Sequence, residues 1–227
     1  MVNLLNDAKK VLAGYPKMRE YAIQEELLQH LVCLYPDHKD PAAVAVKVKL
    51  LNQFYSTGIT AVNALVAHVQ KLGKEIDKAF AQNSAVPDIV EKIANLKLAS
   101  GYRRNYSFAT KYCALHEPKK YPIYDDIVAE VLSTLFMKGL LQINGINYSR
   151  IPGKGKMSKG DFKDIMNKDY SFYINVYDAF MDQAGLTSLT YRQVDNYLWG
   201  AYKIGNRKYR INGLAPIKKK VVTVNIK

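Results

Sequence analysis

The chain is poor in the residues that build metal centres. It has two cysteines, Cys33 and Cys113, which form no CxxC pair, and its four histidines are scattered without an HxxxH spacing. This leaves too few thiolates for a four-cysteine iron–sulfur cluster and no pattern for structural zinc, so we expect no metal and no cofactor. Both cysteines are expected to be buried, reduced thiols of a cytoplasmic protein.

Long apolar runs are also missing. No stretch of about eighteen apolar residues occurs, and the N-terminus lacks the basic and apolar segments of a signal peptide. We therefore expect a cytoplasmic protein that does not enter a membrane. The GxSxG and Walker A sequences are absent too, which argues against a serine hydrolase and a P-loop nucleotide site.

Acidic residues are scarce, with 20 Asp and Glu against 33 Lys and Arg and a net charge of +13. Such a charge favours a polyanionic partner, nucleic acid before an anionic membrane surface. The 227 residues, 48% of them hydrophobic, suffice for one large domain or two small ones. We predict a helical domain over residues 1–205, as a single body or as two lobes with a cleft between them, and a basic tail over 206–227.

Apolar residues recur with a helical period along most of the chain, which predicts an all-α fold. Asp40 and Pro41 supply a helix start, so the strand-like alternation from Val44 to Leu50 is interpreted as helix. Gly73 is expected to end a helix. Helices are predicted over residues 18–34, 41–55, 59–72, 161–167 and 170–183, with others after Pro87 and from Thr190.

The stretch Tyr102–Leu132, YRRNYSFATKYCALHEPKKYPIYDDIVAEVL, predicts a helix, a basic turn, an acidic step and a second helix. Asp125 and Asp126 stand where the second helix begins. A carboxylate there can cap exposed backbone N–H groups and favours the positive end of the helix. In a basic, aromatic-rich cleft it can instead stabilise a positively charged sugar transition state. Both interpretations stay open.

Two segments resemble the helix-hairpin-helix DNA glycosylase superfamily. YPIYDDIVAEVL is similar to the "PVDTHV…VL" pattern that carries its catalytic aspartate, which aligns Asp125 with that residue. Upstream, LLNQFYSTGITAVNALVAHV resembles the "LLSAQATD" helix–loop–helix that carries the wedge, and Tyr55 falls on the glutamine that fills the gap left by a flipped base. The matches follow the order of the family over roughly residues 40–130.

The chain departs from the family at the hairpin, where LKLASGYRRNYS replaces LPGVGxxTA and contains one glycine, Gly101. Arg103 takes the place of the lysine that gives some members lyase activity, and an arginine cannot deprotonate to form a Schiff base. The resemblance therefore implies a monofunctional, monomeric glycosylase that uses water on double-stranded DNA and has no iron–sulfur cluster. Some bacterial relatives in the superfamily excise modified bases from phage DNA, so a defence role is a further expectation.

The resemblance and the basic composition together give the expected site. Asp125 is expected to be catalytic. The residues expected to form the base pocket or the wedge are Tyr55, Gln53, Tyr106, Tyr124 and Asp126. The residues expected to contact DNA are Gly101, Arg103, Arg104, Lys111, Arg150, Lys154 and Lys156.

Two basic segments contain no acidic residue: the glycine-rich loop within residues 141–160 and the tail over residues 206–227. Each is expected either to contact phosphates or to be a solvated surface segment. The β-branched residues of VVTVNIK at the end of the tail indicate a short strand or an ordered arm.

The expected reaction begins with extrusion of a damaged or modified nucleotide, after which Asp125 stabilises the oxocarbenium-like sugar. One alternative is a non-catalytic helical protein that binds DNA or RNA and in which Asp125 is only a helix cap. A second is a helical scaffold whose charge serves solubility.

Overall fold

The described part of the computed structural model comprises residues 3–14, 19–55, 57–143, 157–204, 208–209 and 217–218. It is mostly helical, and this is consistent with the expected all-α fold class. The helices are α1 Leu5–Gly14, α2 Arg19–Leu34, α3 Pro41–Phe54, α4 Val62–Phe80, α5 Pro87–Ala94, α6 Tyr106–His116, α7 Asp126–Met137, α8 Lys159–Lys168, α9 Tyr170–Gln183 and α10 Tyr191–Ile204.

Two short antiparallel strand pairs accompany the helices within the described residues. The first pairs β1 Asn95–Leu98 with β2 Gly101–Arg104, and the second pairs β3 Lys208–Tyr209 with β4 Ile217–Lys218. Gly101 has a backbone φ of 121°, a value that residues with a side chain rarely adopt. This position of the first hairpin therefore favours glycine. Strands β3 and β4 lie inside the predicted basic tail, whereas the segment VVTVNIK lies outside the described residues.

The helix start predicted at Asp40 and Pro41 is confirmed. Asp40 caps α3, its Oδ1 accepting hydrogen bonds from the backbone nitrogens of Ala42 (2.8 Å) and Ala43 (3.2 Å), and Pro41 occupies the first turn. The helix predicted over the alternating Val44–Leu50 segment is confirmed. The helix end predicted at Gly73 is wrong, because α4 runs on to Phe80 and Gly73 lets His38 pack closely against it.

Helix α6 lies at the centre of the first half of the molecule. It packs against α2, α3 and α5, and buries side chains on all sides, among them Phe108, Tyr112 and Cys113. Helix α7 continues the core by packing against α8, α9 and α10. The backbone nitrogen of Tyr124, just before α7, donates to Thr110 of α6 (3.1 Å), so the start of α7 and Asp125 lie near α6 as well as near the C-terminal helices.

The surface of α2 departs from the sequence-based expectation. Leu28 is buried as predicted, but Leu27 and Leu34 are largely exposed, and so is Cys33, which was expected to be buried. Cys113 is buried. None of the described helices combines the length and the apolar character that crossing a membrane requires.

Candidate functional site

Asp125 is the N-cap of α7. Its backbone is extended, and its Oδ1 accepts a hydrogen bond of 2.7 Å from the backbone nitrogen of Val128. This is the local geometry that the sequence predicts for a helix start after Pro122. The side chain is only partly buried, so the capping role leaves part of it accessible.

Buried side chains fix the backbone that leads into Asp125. The hydroxyl of Tyr170 donates to the carbonyl oxygen of Pro122 (2.8 Å), and the hydroxyl of Tyr173 donates to that of Ile123 (2.5 Å). At the next residue, the backbone nitrogen of Tyr124 donates to Oγ1 of Thr110 (3.1 Å). Residues of α6 and α9 thus hold three consecutive positions, which restricts where the Asp125 carboxylate can lie.

A set of ionisable groups from five parts of the chain surrounds Asp125, and we call it the charged cluster. Its members are Glu25, Tyr55, Lys111, Asp125, Arg192 and Asp195. Arg192 connects most of them. Its Nε donates to Glu25 (2.8 Å), its Nη1 to Asp195 (3.0 Å) and its Nη2 to the hydroxyl of Tyr55.

Lys111 completes the charged cluster. Its Nζ lies 5.6 Å from the centroid of the Tyr55 ring, and its charge interacts with Asp125 and Asp195. Burial lowers the pKa of Lys111, and the two carboxylates oppose that shift. The sequence predicted a phosphate contact for this lysine, but the structure places its ammonium over Tyr55 in the charged cluster.

Burial shifts the pKa of two carboxyl groups in the charged cluster, Asp195 and Asp125. Burial raises the pKa of Asp195 to about 7, although Arg192 opposes the shift, and one of its oxygens, Oδ1, is buried without a hydrogen-bond partner. Burial also raises the pKa of Asp125. Three carboxyl groups, with Glu25, thus share the two cations Lys111 and Arg192, and a proton on one carboxyl group balances the charge.

Next to the charged cluster lies an open cavity of about 310 Å³, which we call the α6 pocket. Its lining residues are Thr57, Ile59, Arg103, Arg104, Asn105, Tyr106, Ser107, Phe108, Tyr124, Asp126 and Asn167. The pocket and the charged cluster are neighbours because three pairs of their residues are close in sequence. Asp126 adjoins Asp125, and Thr57 follows Tyr55 by two residues. Ser107 precedes Lys111 by one helical turn.

The α6 pocket collects unsatisfied hydrogen-bond donors. All three residues of the first turn of α6 line it, and no side chain caps that turn. The N-cap residue Asn105 is 7% exposed, and its Nδ2 has no hydrogen-bond partner. Nothing else among the lining residues satisfies these groups, so a ligand with acceptor oxygens would do so.

Two arginines flank these donors in different ways. Arg104 pairs with both oxygens of Glu91 (2.8 and 2.9 Å) and lies over the ring of Tyr106, 4.1 Å from its centroid. Arg103 donates only to neutral oxygens, those of Gly58 (3.3 Å) and Thr60 (3.5 Å), and has no ion pair within the described part of the chain. Its charge is therefore available to an anion.

The structure brings together most of the residues predicted for the site. Those lining the α6 pocket are Arg103, Arg104, Tyr106, Tyr124 and Asp126. Tyr55, Lys111 and Asp125 belong to the charged cluster. Gln53 is exposed on α3 and Gly101 lies in the first hairpin, and neither lines the pocket. Arg150, Lys154 and Lys156 lie outside the described residues.

The sequence-based prediction missed four residues of the site. Arg192 and Asp195 carry a weak signal, an opposite-charge pair three residues apart on one helix face. Glu25 and Asn105 carry none, because each is defined by contacts or by burial and not by a local pattern. Across the described ranges, no three His, Cys, Asp or Glu side chains come together in a way that suits a metal ion.

Comparison with known proteins places the chain in a family without assigning an activity. A Haemophilus influenzae strain Rd protein, named only "Uncharacterized protein", is 27% identical over 135 residues, which are 59% of this chain and 62% of the relative. The chain thus covers less than two thirds of that relative. No solved structure matches the chain significantly. A family model named HI_0787_N and described as an N-terminal domain matches residues 7–120, half of the chain, and the chain therefore belongs to the HI_0787_N family.

Proposed function

We propose that the protein binds DNA at the α6 pocket and hydrolyses the N-glycosidic bond of a damaged or modified base, with Asp125 as the catalytic carboxylate. One observation carries the proposal. An uncapped helix N-terminus flanked by arginines, which suits a phosphate, lies in a pocket lined by Asp126, and the preceding residue, Asp125, holds a fixed carboxylate, which suits a sugar cation. A nucleotide presents both chemical groups within a few ångströms of each other.

The phosphate is the first part of the proposed ligand. The N–H groups of the first turn of α6, the amide of Asn105 and the guanidinium of Arg103 converge on one cavity, and each can donate to a phosphate oxygen. Asp126 lines the same pocket and repels a phosphate close to it. The phosphate is therefore expected at the Arg103–Asn105 side, with the sugar toward Asp126 and Asp125.

The chemistry follows from the placement of Asp125. When the bond between C1′ and the base nitrogen breaks, its electron pair leaves with the base and the sugar becomes cationic. An ionised Asp125 stabilises this cation. Burial raises the pKa of Asp125, and the hydrogen bond from the backbone nitrogen of Val128 and the Lys111 charge oppose that shift and favour the ionised form. Water then adds to C1′; its hydroxide remains on the sugar and its proton goes to the departed base.

The order of elements supports the proposed family. Helix α5, the β1–β2 hairpin and α6 follow one another in the order helix, hairpin, helix, and the aspartate-bearing start of α7 comes after them. We propose that this region corresponds to the helix-hairpin-helix element of the glycosylases. In this register Arg103 stands where a lyase lysine would be, so water is the nucleophile. A monomeric, cytoplasmic protein acting in repair or in phage defence belongs to the same proposal.

A second candidate function is a non-catalytic DNA- or RNA-binding protein. The hydrogen bond from the backbone nitrogen of Val128 to Asp125 favours it, because a capping carboxylate needs no catalytic role to be explained. Release of a free base from DNA distinguishes the two. The glycosylase proposal expects abasic sites from the wild type and none from Asp125→Asn, whereas the binding protein gives salt-dependent affinity and no abasic sites from either.

A further inference from the structure

Four tyrosines flank the proposed site, and the structure separates one of them from the others. Tyr106, Tyr121 and Tyr124 are buried, with 4%, 0% and 8% of their surface exposed, whereas Tyr102 is 77% exposed. The three buried rings pack against other aromatic side chains, for example Tyr106 against Tyr124 at 4.9 Å between centroids. Tyr106 and Tyr124 line the α6 pocket with only a small exposed part of their surface, whereas Tyr102 alone among the four presents a largely exposed ring.

Tyr102 lies in β2 directly before two residues that line the α6 pocket, Arg103 and Arg104. Residues i and i+2 of a strand lie on the same face, so Tyr102 shares a face with Arg104, roughly 7 Å along β2. Arg104 lines the α6 pocket. Across the hairpin Tyr102 pairs with Lys97, whose Nζ lies over the Tyr102 ring, 6.0 Å from its centroid. Tyr102 does not itself line the α6 pocket, but an exposed aromatic ring with a cation beside it is adjacent in β2 to the arginines that do.

The charge of the surrounding chain indicates what covers this ring. Residues 92–116 contain no Asp or Glu and carry five cations. Lys92 and Arg104 pair with Glu75 and Glu91, and Lys111 belongs to the charged cluster. Lys97 and Arg103, on either side of Tyr102 in the hairpin, have no ion pair among the described residues. An apolar protein partner would gain nothing from these two cations, whereas a nucleic acid offers both a phosphate for Arg103 and a base for the aromatic ring.

We infer that Tyr102 is a stacking platform for an unpaired nucleobase of DNA whose phosphate occupies the α6 pocket. The inference rests on the proposed DNA binding and adds to it the structural class of substrate, a strand with a base out of the duplex stack. A base inside a regular duplex is covered by its neighbours on both faces, so Tyr102 favours single strands, bulges and mismatched sites.

The experiment measures binding of two DNA probes by fluorescence anisotropy, a single strand and a fully paired duplex of the same sequence. A 2-aminopurine base in the single strand reports stacking through its quenched fluorescence. The proteins are the full-length wild type, Tyr102→Ala and Tyr102→Phe. Tyr35→Ala is the matched control, because Tyr35 is another exposed tyrosine (42%) and does not line the α6 pocket.

We expect the wild type to bind the single strand more tightly than the duplex and to quench 2-aminopurine. Tyr102→Ala is expected to raise the Kd for the single strand about tenfold and to abolish quenching, since that is the order of affinity one stacked base supplies. The Kd of Tyr102→Phe and of Tyr35→Ala for the single strand should stay within about twofold of the wild-type value.

Two results overturn the inference and are distinguishable. If the wild type binds DNA and Tyr102→Ala binds the single strand equally well, the stacking platform is wrong and the proposed DNA binding stands. If the wild type binds neither probe, the stacking platform and the proposed DNA binding are both wrong. Because Tyr102 is exposed, its replacement leaves the core intact, and matched unfolding curves of the variants check this directly.

Discussion

The guanidinium of Arg192 on α10 donates a hydrogen bond to the hydroxyl of Tyr55, which lies at the end of α3, 137 residues earlier in the chain. Glu25, Tyr55 and Lys111 lie within the region that the HI_0787_N model matches, whereas Asp125, Arg192 and Asp195 lie beyond it. The charged cluster is therefore assembled from both halves of the chain. The α6 pocket is shared in the same way: most of its lining residues lie within residues 7–120, whereas Tyr124, Asp126 and Asn167 lie beyond them.

Arg192 is expected to be important for stability. Its side chain is 14% exposed and pairs with Glu25 and Asp195. Arg192→Ala therefore leaves these two largely buried carboxylates without their guanidinium partner. Removal of one partner from a buried ion pair costs about 3–5 kcal/mol. Urea unfolding measures this loss. Arg103→Ala is the control, because Arg103 has no ion pair among the described residues, and a change within about 0.5 kcal/mol is expected for it. Equal effects from both variants would contradict the cluster's structural role.

The free energy of unfolding is expected to depend on pH through the titration of Asp195. Burial raises its pKa to about 7 in the folded protein, against roughly 4 in an unfolded chain. The folded state therefore holds a proton that the unfolded state has lost, so this group's contribution to stability falls as pH rises from about 4 to about 7 and is constant above that. The charged groups facing it are Arg192 on its own helix, Lys111, Asp125 and Glu25.

Asp195→Asn removes this dependence, because an amide resembles the protonated acid at every pH. The Tm of the variant minus that of the wild type is expected to increase between pH 5 and pH 8, by about 3 °C or more if the group contributes at least about 1 kcal/mol. Thermal unfolding of both proteins across this range measures it. A difference that stays constant from pH 5 to pH 8 would show that Asp195 is ionised throughout.

Gly73 is expected to tolerate no larger side chain. A Cβ at this position would lie 2.8 Å from Cβ of His38, whose ring is fixed by Asp77 (2.6 Å) and Tyr112 (2.8 Å). Gly73→Ala should therefore destabilise the protein by about 1–3 kcal/mol despite the higher helix propensity of alanine. Gly160→Ala, in α8 with its nearest contact at 3.6 Å, is the control and is expected to stabilise by about 0.4–1 kcal/mol. Stabilisation by both changes would contradict the close packing of α4 on His38.

Phosphate binding at the α6 pocket is expected to appear in the salt dependence of affinity. Each phosphate contact contributes roughly one unit to the slope of log K against log salt concentration, so Arg103→Ala should reduce the slope by about 1 with any DNA sequence. Lys39→Ala is the control, since Lys39 is an exposed cation in the α2–α3 loop, paired with Asp37, that does not line the pocket. Titrations at several salt concentrations measure both. An unchanged slope for Arg103→Ala would place the phosphate elsewhere.

Much of the local structure could be predicted from the sequence because its causes are local. Asp40 and Asp125 each start a helix with their own carboxylate, and this signal needs no information from the rest of the chain. The predicted residues Arg103, Arg104, Tyr106 and Tyr124 meet in one pocket because the hairpin, α6 and the link before α7 are consecutive.

What the sequence could not supply depends on contacts between distant segments. Glu25 and Arg192 meet across 167 residues, and no periodic pattern encodes that pairing. Helix α4 continues through Gly73 because His38 packs there, although glycine alone indicates a helix end. The strands of the β1–β2 hairpin are only four residues each, too short to show the alternation that distinguishes a strand from a helix.

The central claim is tested most directly by base release from a panel of double-stranded DNAs that carry deaminated, alkylated, oxidised and phage-type modified bases. The proteins are the wild type, Asp125→Asn and the neighbouring Asp126→Asn. Asparagine is as good an N-cap as aspartate, so Asp125→Asn keeps the start of α7 and removes the charge. We predict abasic sites from the wild type on at least one substrate, a loss of about 100-fold or more in Asp125→Asn, and a smaller effect in Asp126→Asn. Tight, salt-dependent binding without abasic sites on any substrate, or equal activity of the wild type and Asp125→Asn, would contradict the proposed glycosylase.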